Sequence, residues 1–121
     1  MSQPGRIPNS NALPNYDRAV IEQIKLEGYV LDLTHPVGKH KAIVFKSALG
    51  FEQSHWEMLR EAITAELPYH EAVVGRTDRY GQRYNVTVPI TGPNGRTVEV
   101  LTAWIVDIGA DHPRFVTALP E

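Results

Sequence analysis

The stretch that decides the fold runs from Tyr80 to Asp107 and reads YGQRYNVTVPITGPNGRTVEVLTAWIVD. In its first half Tyr84, Val86, Val88 and Ile90 alternate with Arg83, Asn85 and Thr87, the period of two that marks a strand with one buried face. Thr91-Gly92-Pro93-Asn94-Gly95 then breaks the pattern with turn residues, Asn-Gly last. Arg96 to Asp107 resumes as a longer strand, apolar on both faces from Leu101 to Val106, which predicts a central place in a sheet. Two strands joined by a tight turn make an antiparallel hairpin, and the sheet is read outward from it. Upstream, Ala72-Val73-Val74 predicts a strand with Asp78-Arg79-Tyr80-Gly81 as its turn. Downstream, the Gly109-Ala110-Asp111-His112-Pro113 loop leads to a closing strand at Arg114 to Ala118.

Before His70 the period is helical. A short strand or turn near Ala19 to Ile21 leads into a helix whose Leu26, Tyr29 and Val30 share one face and which stops near Asp32. A second helix starts around Thr34 to Gly38 and runs to Leu49, with Thr34 as the expected N-cap, Pro36 in the first turn and Gly50 as the stop. Its Ala42-Ile43-Val44-Phe45 run would also suit a buried strand. In the third, HWEMLREAITAEL, Ser54 and Glu57 form an expected capping box, Trp56, Leu59, Ile63 and Leu67 face inward, and His55 lies on the surface. The fold class is therefore α+β, with N-terminal helices packed on one face of a four-stranded antiparallel meander. Residues 1–13 read as a flexible polar lead-in, disordered or strapped over the surface, and residues 14–121 as a single domain.

At 121 residues, 42% hydrophobic and 21% charged, the chain has the size and composition of one globular domain. Absence of cysteine excludes disulfides, thiolate catalysis and cysteine-ligated zinc. Apolar runs are far shorter than the roughly 20 residues of a membrane span, and the N-terminus lacks the apolar core of a secretory signal. The expectation is a cytoplasmic protein that makes no membrane contact.

Net charge is −2, yet His35, Lys39, His40, Lys41 and Lys46 crowd together with no acidic residue between Asp32 and Glu52. Such a local excess suits an anion, and a helix N-terminus carrying it would add unpaired N–H groups. The competing reading is a solvated basic face over a buried apolar one. No phosphate loop, HExxH or GxSxG is present, and His35 and His40 are off the i, i+4 spacing of paired ligands, so neither metal nor cofactor is expected. The remaining side chains suit metal-free cleavage of RNA by its own 2′-hydroxyl. That reaction needs a proton acceptor, a proton donor and cations for the phosphorane. His35 and His40 fit the proton steps, Lys39, Lys41 and Arg83 the charge, and Tyr80, Tyr84 and Trp104 base stacking. Burial habit makes Trp104 and Tyr84 core residues as readily as stacking platforms, and Thr102 fits any half-buried strand.

Taken together, ALPNYDRAVI, HPVGKHKAIVFKSALG, YGQRYNVTVPITGPNGRTVEVLTAWIVD and PRFVTAL resemble a small bacterial domain family of unassigned function. That family occurs free-standing and as the C-terminal toxin tips of polymorphic and contact-dependent secreted proteins, and it is similar to the barnase, EndoU, colicin and RelE-like ribonucleases. The resemblance, which covers the chain from about Leu13, implies helices followed by a four-stranded antiparallel sheet. It also implies a basic site of His35, Lys39, His40 and Lys41, to which the sheet adds Gln82, Arg83, Thr102 and Trp104. The expected catalytic set is His35, His40, Arg83 and Thr102, with RNA contacts from Lys39, Lys41, Tyr80, Gln82, Tyr84 and Trp104. Leu101 stands where such domains tend to carry a basic or polar residue. The chain's length suggests a free-standing toxin. The expected function is a metal-independent endoribonuclease toxin acting on tRNA or other structured RNA, held by a cognate antitoxin or immunity protein. The rival expectation is a non-catalytic protein-binding module, itself an antitoxin, immunity partner or phage-encoded inhibitor. An enzyme on small phosphorylated or nucleotide ligands is a third reading, and exposed sheet edges would permit a homodimer.

Overall fold

The computed structural model describes residues 5–121, and in it the four expected strands form one meander, β1 (Ala72–Asp78), β2 (Gly81–Thr91), β3 (Thr97–Asp107) and β4 (Arg114–Pro120). All neighbours are antiparallel, and β3 is internal as its two apolar faces predict. Residues opposite one another share a face of the sheet. One face carries Val86, Val88 and Ile90 against Thr102, Val100 and Val98, with Ala118 beyond Thr102. The other carries Arg83, Asn85 and Thr87 against Ile105, Ala103 and Leu101, with Arg114, Thr117 and Leu119 beyond them.

The helices cover only the first of these faces. A short helix α1 (Gln23–Lys25) widens into a π-type turn over Leu26–Val30, and α2 (Lys39–Leu49) and α3 (Trp56–Glu66) follow. Phe45, Leu49, Leu59 and Ile63 join Leu26, Val30, Val86, Val88, Val100, Trp104 and Phe115 in one buried cluster. Each large apolar side chain so buried contributes about 1.5–3 kcal/mol relative to exposure. Ala42 to Phe45 is helical, and Ala42, Phe45 and Leu49 are its buried face. The expected strand or turn near Ala19 to Ile21 is an isolated parallel bridge from Val20 to Arg114.

Both helix starts differ from the sequence expectation in which residue caps. Thr34 instead bonds Asp32 Oδ1 through its N–H (2.9 Å) and hydroxyl (2.6 Å). His35 caps α2: its Nδ1 accepts the N–H groups of Val37 (3.0 Å) and Gly38 (2.9 Å), and its carbonyl accepts that of Lys39. Similarly, His55 Nδ1 accepts the Glu52 N–H at 2.9 Å ahead of α3, and Trp56 is half-buried, not fully inside. An imidazole with its proton on Nε2 offers a lone pair on Nδ1 that does the work usually given to Ser, Thr or Asp. At its other end α2 stops at Gly50, φ 78°, and Asn94 of the β2–β3 turn donates its N–H to Leu49 O at 3.2 Å. A Cβ on Gly92 would overlap that same carbonyl, so turn and helix end fit only with glycine there.

Of the segment 1–13, residues 1–4 lie outside the described residues. Arg6 makes two bonds of 3.1 Å to Glu66 and lies over the Tyr69 ring, Asn11 O accepts the Ala72 N–H, and Leu13 is buried. Among the described residues no helix is long and apolar enough to cross a membrane.

Candidate functional site

Two β-bulges face each other across the open side of the sheet. On β1, Gly75 and Arg76 together oppose Arg83, because the register passes from Val74↔Tyr84 to Thr77↔Gln82. On β4, Val116 is the extra residue between Ala103↔Thr117 and Trp104↔Phe115. A bulge bends its strand and re-aims the side chains beside it. Here the pair opens a cleft of about 290 Å³ whose lining includes Gly75, Arg76, Arg83, Asn85, Ala103, Val116 and Thr117. Small residues form the floor: a Cβ on Gly75 would press on the Arg83 backbone and Cβ. Gln82, expected to touch RNA, holds the β1 bulge instead. Its Nε2 donates to Gly75 O at 2.9 Å and its Oε1 accepts from Thr77 Oγ1 at 2.6 Å.

The cleft is cationic by construction. Arg83 Nε donates to Asp78 Oδ2 at 2.9 Å and Arg76 Nε donates to the same oxygen at 3.1 Å, which leaves the terminal nitrogens of both guanidiniums for a ligand. One strand spacing beyond Ile105, Arg114 holds Asp107 in a two-point contact of 3.0 Å each. Ile105 is only 2% exposed although it lies on the open face, as expected where two arginine stems flank an apolar side chain. The Arg83 hydrogen bond, followed by that of the Tyr80 N–H and with help from Arg76, holds the Asp78 carboxyl far below the usual carboxylate range. The Arg114 hydrogen bond does the same for Asp107, with the charges of Arg114, Arg83 and His112 adding to it. No carboxylate lines the cleft among the described residues. A larger hollow of about 550 Å³ between residues 31–34 and Phe51–Ser54 carries Asp32 and Glu52, a poor setting for an anion.

Depressed carboxyl pKa values stabilise the fold above the unfolded-state value near 3.8 and cease to do so as pH falls through the folded-state value. Melting temperature should therefore drop as pH is lowered from about 5 toward 2, and the drop should be shallower in Asp78→Asn. Thermal melts of both proteins across that range check this.

Tyr84 and Trp104 also border this cleft, but the candidates on the helices do not meet at it. His35, Lys39, His40 and Lys41 belong to α2 and its cap, on the helical side of the sheet, and Arg83 is on the open side. Among residues 36–42 only the His40 N–H is left without a partner for a phosphate to use. Pro36 has none, Val37 and Gly38 donate to His35 Nδ1, and Lys39 donates to His35 O. Lys39 and His40 are exposed, and Lys41 reaches back to Tyr29 OH at 3.4 Å, so the segment has the form of a solvated basic face. His35→Ala should cost about 1 kcal/mol of stability, the scale of a lost cap. Chemical denaturation of the two proteins checks this.

Thr102 and Trp104 are withdrawn from the surface. Thr102 is fully buried, donating to Val86 O at 2.6 Å and accepting from Trp104 Nε1 at 2.8 Å, while Trp104 is 1% exposed against Phe115. Thr102 does not border the cleft, and Trp104 borders it with almost no exposed surface. Tyr84 packs against the core, and Tyr80 stays exposed at the β1–β2 turn, its hydroxyl accepting from Arg79 at 2.8 Å. Asn85 was within reach of sequence reasoning, since alternation puts it beside Arg83. Arg76, Thr117 and Arg114 were not, because two bulges set their placement.

The fold is shared with a chain of a complex described as a contact-dependent growth inhibition toxin and immunity protein from Klebsiella pneumoniae 342. The superposition has a TM-score of 0.63 at 19% identity and covers 84% of this chain and 99% of that one. No curated protein matches the sequence. Residues 12–121 match the family described as Domain of unknown function (DUF6883), and the chain belongs to that family.

Proposed function

We propose that this domain is a metal-independent ribonuclease toxin that seats an RNA phosphodiester in the cleft between the two bulges. The observation that carries the reading is the cleft itself, where Arg76 and Arg83 are aimed by one carboxylate, Asn85 and Thr117 stand beside them, and no acid lines the walls. Preorganised guanidiniums favour the extra charge of a phosphorane over the ground-state diester, and they need no metal to do so. His112, on the loop between β3 and β4 with its Nδ1 3.1 Å from Asp111 Oδ1, is our candidate for a proton step. A chain of −2 net charge would bind RNA through this local patch and not by general attraction. The fold it shares with a member of a toxin–immunity complex supports a toxin system and a cognate inhibitor as partner.

A second reading, that the domain is the inhibitory member of such a pair, is favoured by β1, whose Val73 and Val74 are 58% and 66% exposed on an edge strand. Incubating the purified chain with total bacterial RNA in EDTA, beside His112→Ala and His40→Ala, separates the two. Discrete fragments from the wild type and from His40→Ala, but not from His112→Ala, support the proposal. Intact RNA with folded wild type, together with harmless expression at high level, assigns the domain to the inhibitory class.

A further inference from the structure

Thr117 Oγ1 is sealed from solvent and has no hydrogen-bond partner among the described residues. Such a group costs stability wherever it is left unpaired, so its place on the wall of the cleft calls for an explanation. In the register of the sheet, Asn85, Ala103 and Thr117 form one row across β2, β3 and β4, all on the open face. The central alanine leaves a slot between an amide and a hydroxyl whose Cα atoms are about 10 Å apart, two strand spacings. Arg83 lies in the adjacent row, two residues along β2, at about 6.8 Å. That step is on the scale of the phosphate-to-base separation within one nucleotide.

We propose that Asn85 and Thr117 form a base-reading slot for the nucleotide whose phosphate Arg83 holds. This rests on the reading of the cleft as an RNA phosphate site and gives it a substrate preference. An Asn amide presents a donor and an acceptor side by side, the complement of the N6 amino group and ring nitrogen of adenine. A 120° rotation about χ1 carries the Thr117 hydroxyl to another staggered position, from which Oγ1 can turn toward the slot and take from the base the partner it lacks. Splayed, single-stranded bases are the form of RNA that exposes such an edge, so the slot selects a loop or bulge adenosine.

Calorimetric titration of the wild type with 3′-AMP, 3′-CMP, 3′-GMP, 3′-UMP and the base-free ribose 5-phosphate tests this, beside Thr117→Val, Thr117→Ser, Asn85→Ala and Arg83→Ala. The expected result is 3′-AMP binding at least about fivefold tighter than ribose 5-phosphate, with weaker affinity for the other three nucleotides. Thr117→Val and Asn85→Ala should each erase most of that preference and leave ribose 5-phosphate within about twofold, and Thr117→Ser should keep it. Equal binding of all five compounds, lost in Arg83→Ala, would overturn the slot and leave the phosphate site standing. Preference for another base, or an adenine preference that survives both Thr117→Val and Asn85→Ala, also overturns it. Failure of every compound to bind the folded wild type removes the phosphate reading and the slot with it.

Discussion

Arg83→Ala should lower RNA cleavage at least about a hundredfold, the cost of removing one preorganised donor from a developing anion. Its melting temperature should change by only a few degrees. The two effects separate because of where Arg83 stands. Its stem lies over the open face and its Nε contacts Asp78 at 2.9 Å in a half-exposed pair, whereas the core lies on the far side of the sheet. Exposed ion pairs contribute little to stability. A lysine in the same place keeps the charge but loses the planar fork, so Arg83→Lys should recover less than about a tenth of the lost rate. Cleavage of a defined RNA in EDTA, with melts of the same preparations, measures both. An Arg83→Ala protein with wild-type rate would remove the cleft from the chemistry.

Asp78 offers an internal control on that result. It aims Arg76 and Arg83 without lining the cleft, so Asp78→Asn keeps every cation and alters only their aim. If aim matters, this substitution slows turnover and also weakens phosphate binding. If only charge matters, removal of a nearby anion strengthens binding. The sign of the change in affinity for inorganic phosphate therefore tells positioning from bulk electrostatics.

The sheet could be read in the sequence and the site only in part, for one physical reason. Side-chain alternation is local, so Tyr84, Val86, Val88 and Ile90 announce their face, and turn residues at 91–95 announce the hairpin. Pairing across strands is not local. The bulges at Gly75–Arg76 and Val116 each shift register by one residue, and they decide that Arg76 and Thr117 meet Arg83 and Asn85. The histidines misled for a related reason. In sequence His35 is a titratable group among lysines, and only the backbone around it reveals that its Nδ1 lone pair already closes the first turn of α2. Thr102 is a polar side chain in a strand that reads as apolar on both faces, and only the register puts it on the inner one. Its partner Val86 lies in the same buried register.

Trp104→Ala should be the most destabilising of the substitutions considered, at about 3–5 kcal/mol, a large part of the 5–15 kcal/mol that holds an ordinary domain together. The indole is 1% exposed, meets Phe115 edge-on at 5.4 Å between ring centres, and donates Nε1–H to Thr102 Oγ1 at 2.8 Å. Removing it opens a cavity in the centre of the sheet's covered face and leaves the threonine hydroxyl short of a partner. The hydrogen-bond share can be isolated. Thr102→Val preserves shape but strands a buried indole N–H, for about 1–3 kcal/mol. Adding Trp104→Phe to Thr102→Val removes that stranded donor, so the double variant should be less destabilised than the sum of its single variants. Urea denaturation of the four proteins closes the cycle. RNA cleavage per folded molecule should be unchanged in Thr102→Val, since the hydroxyl spans Val86 O and Trp104 on the helical side and the cleft opens on the other. A Thr102→Val protein of full stability and no activity would instead return Thr102 to the catalytic set.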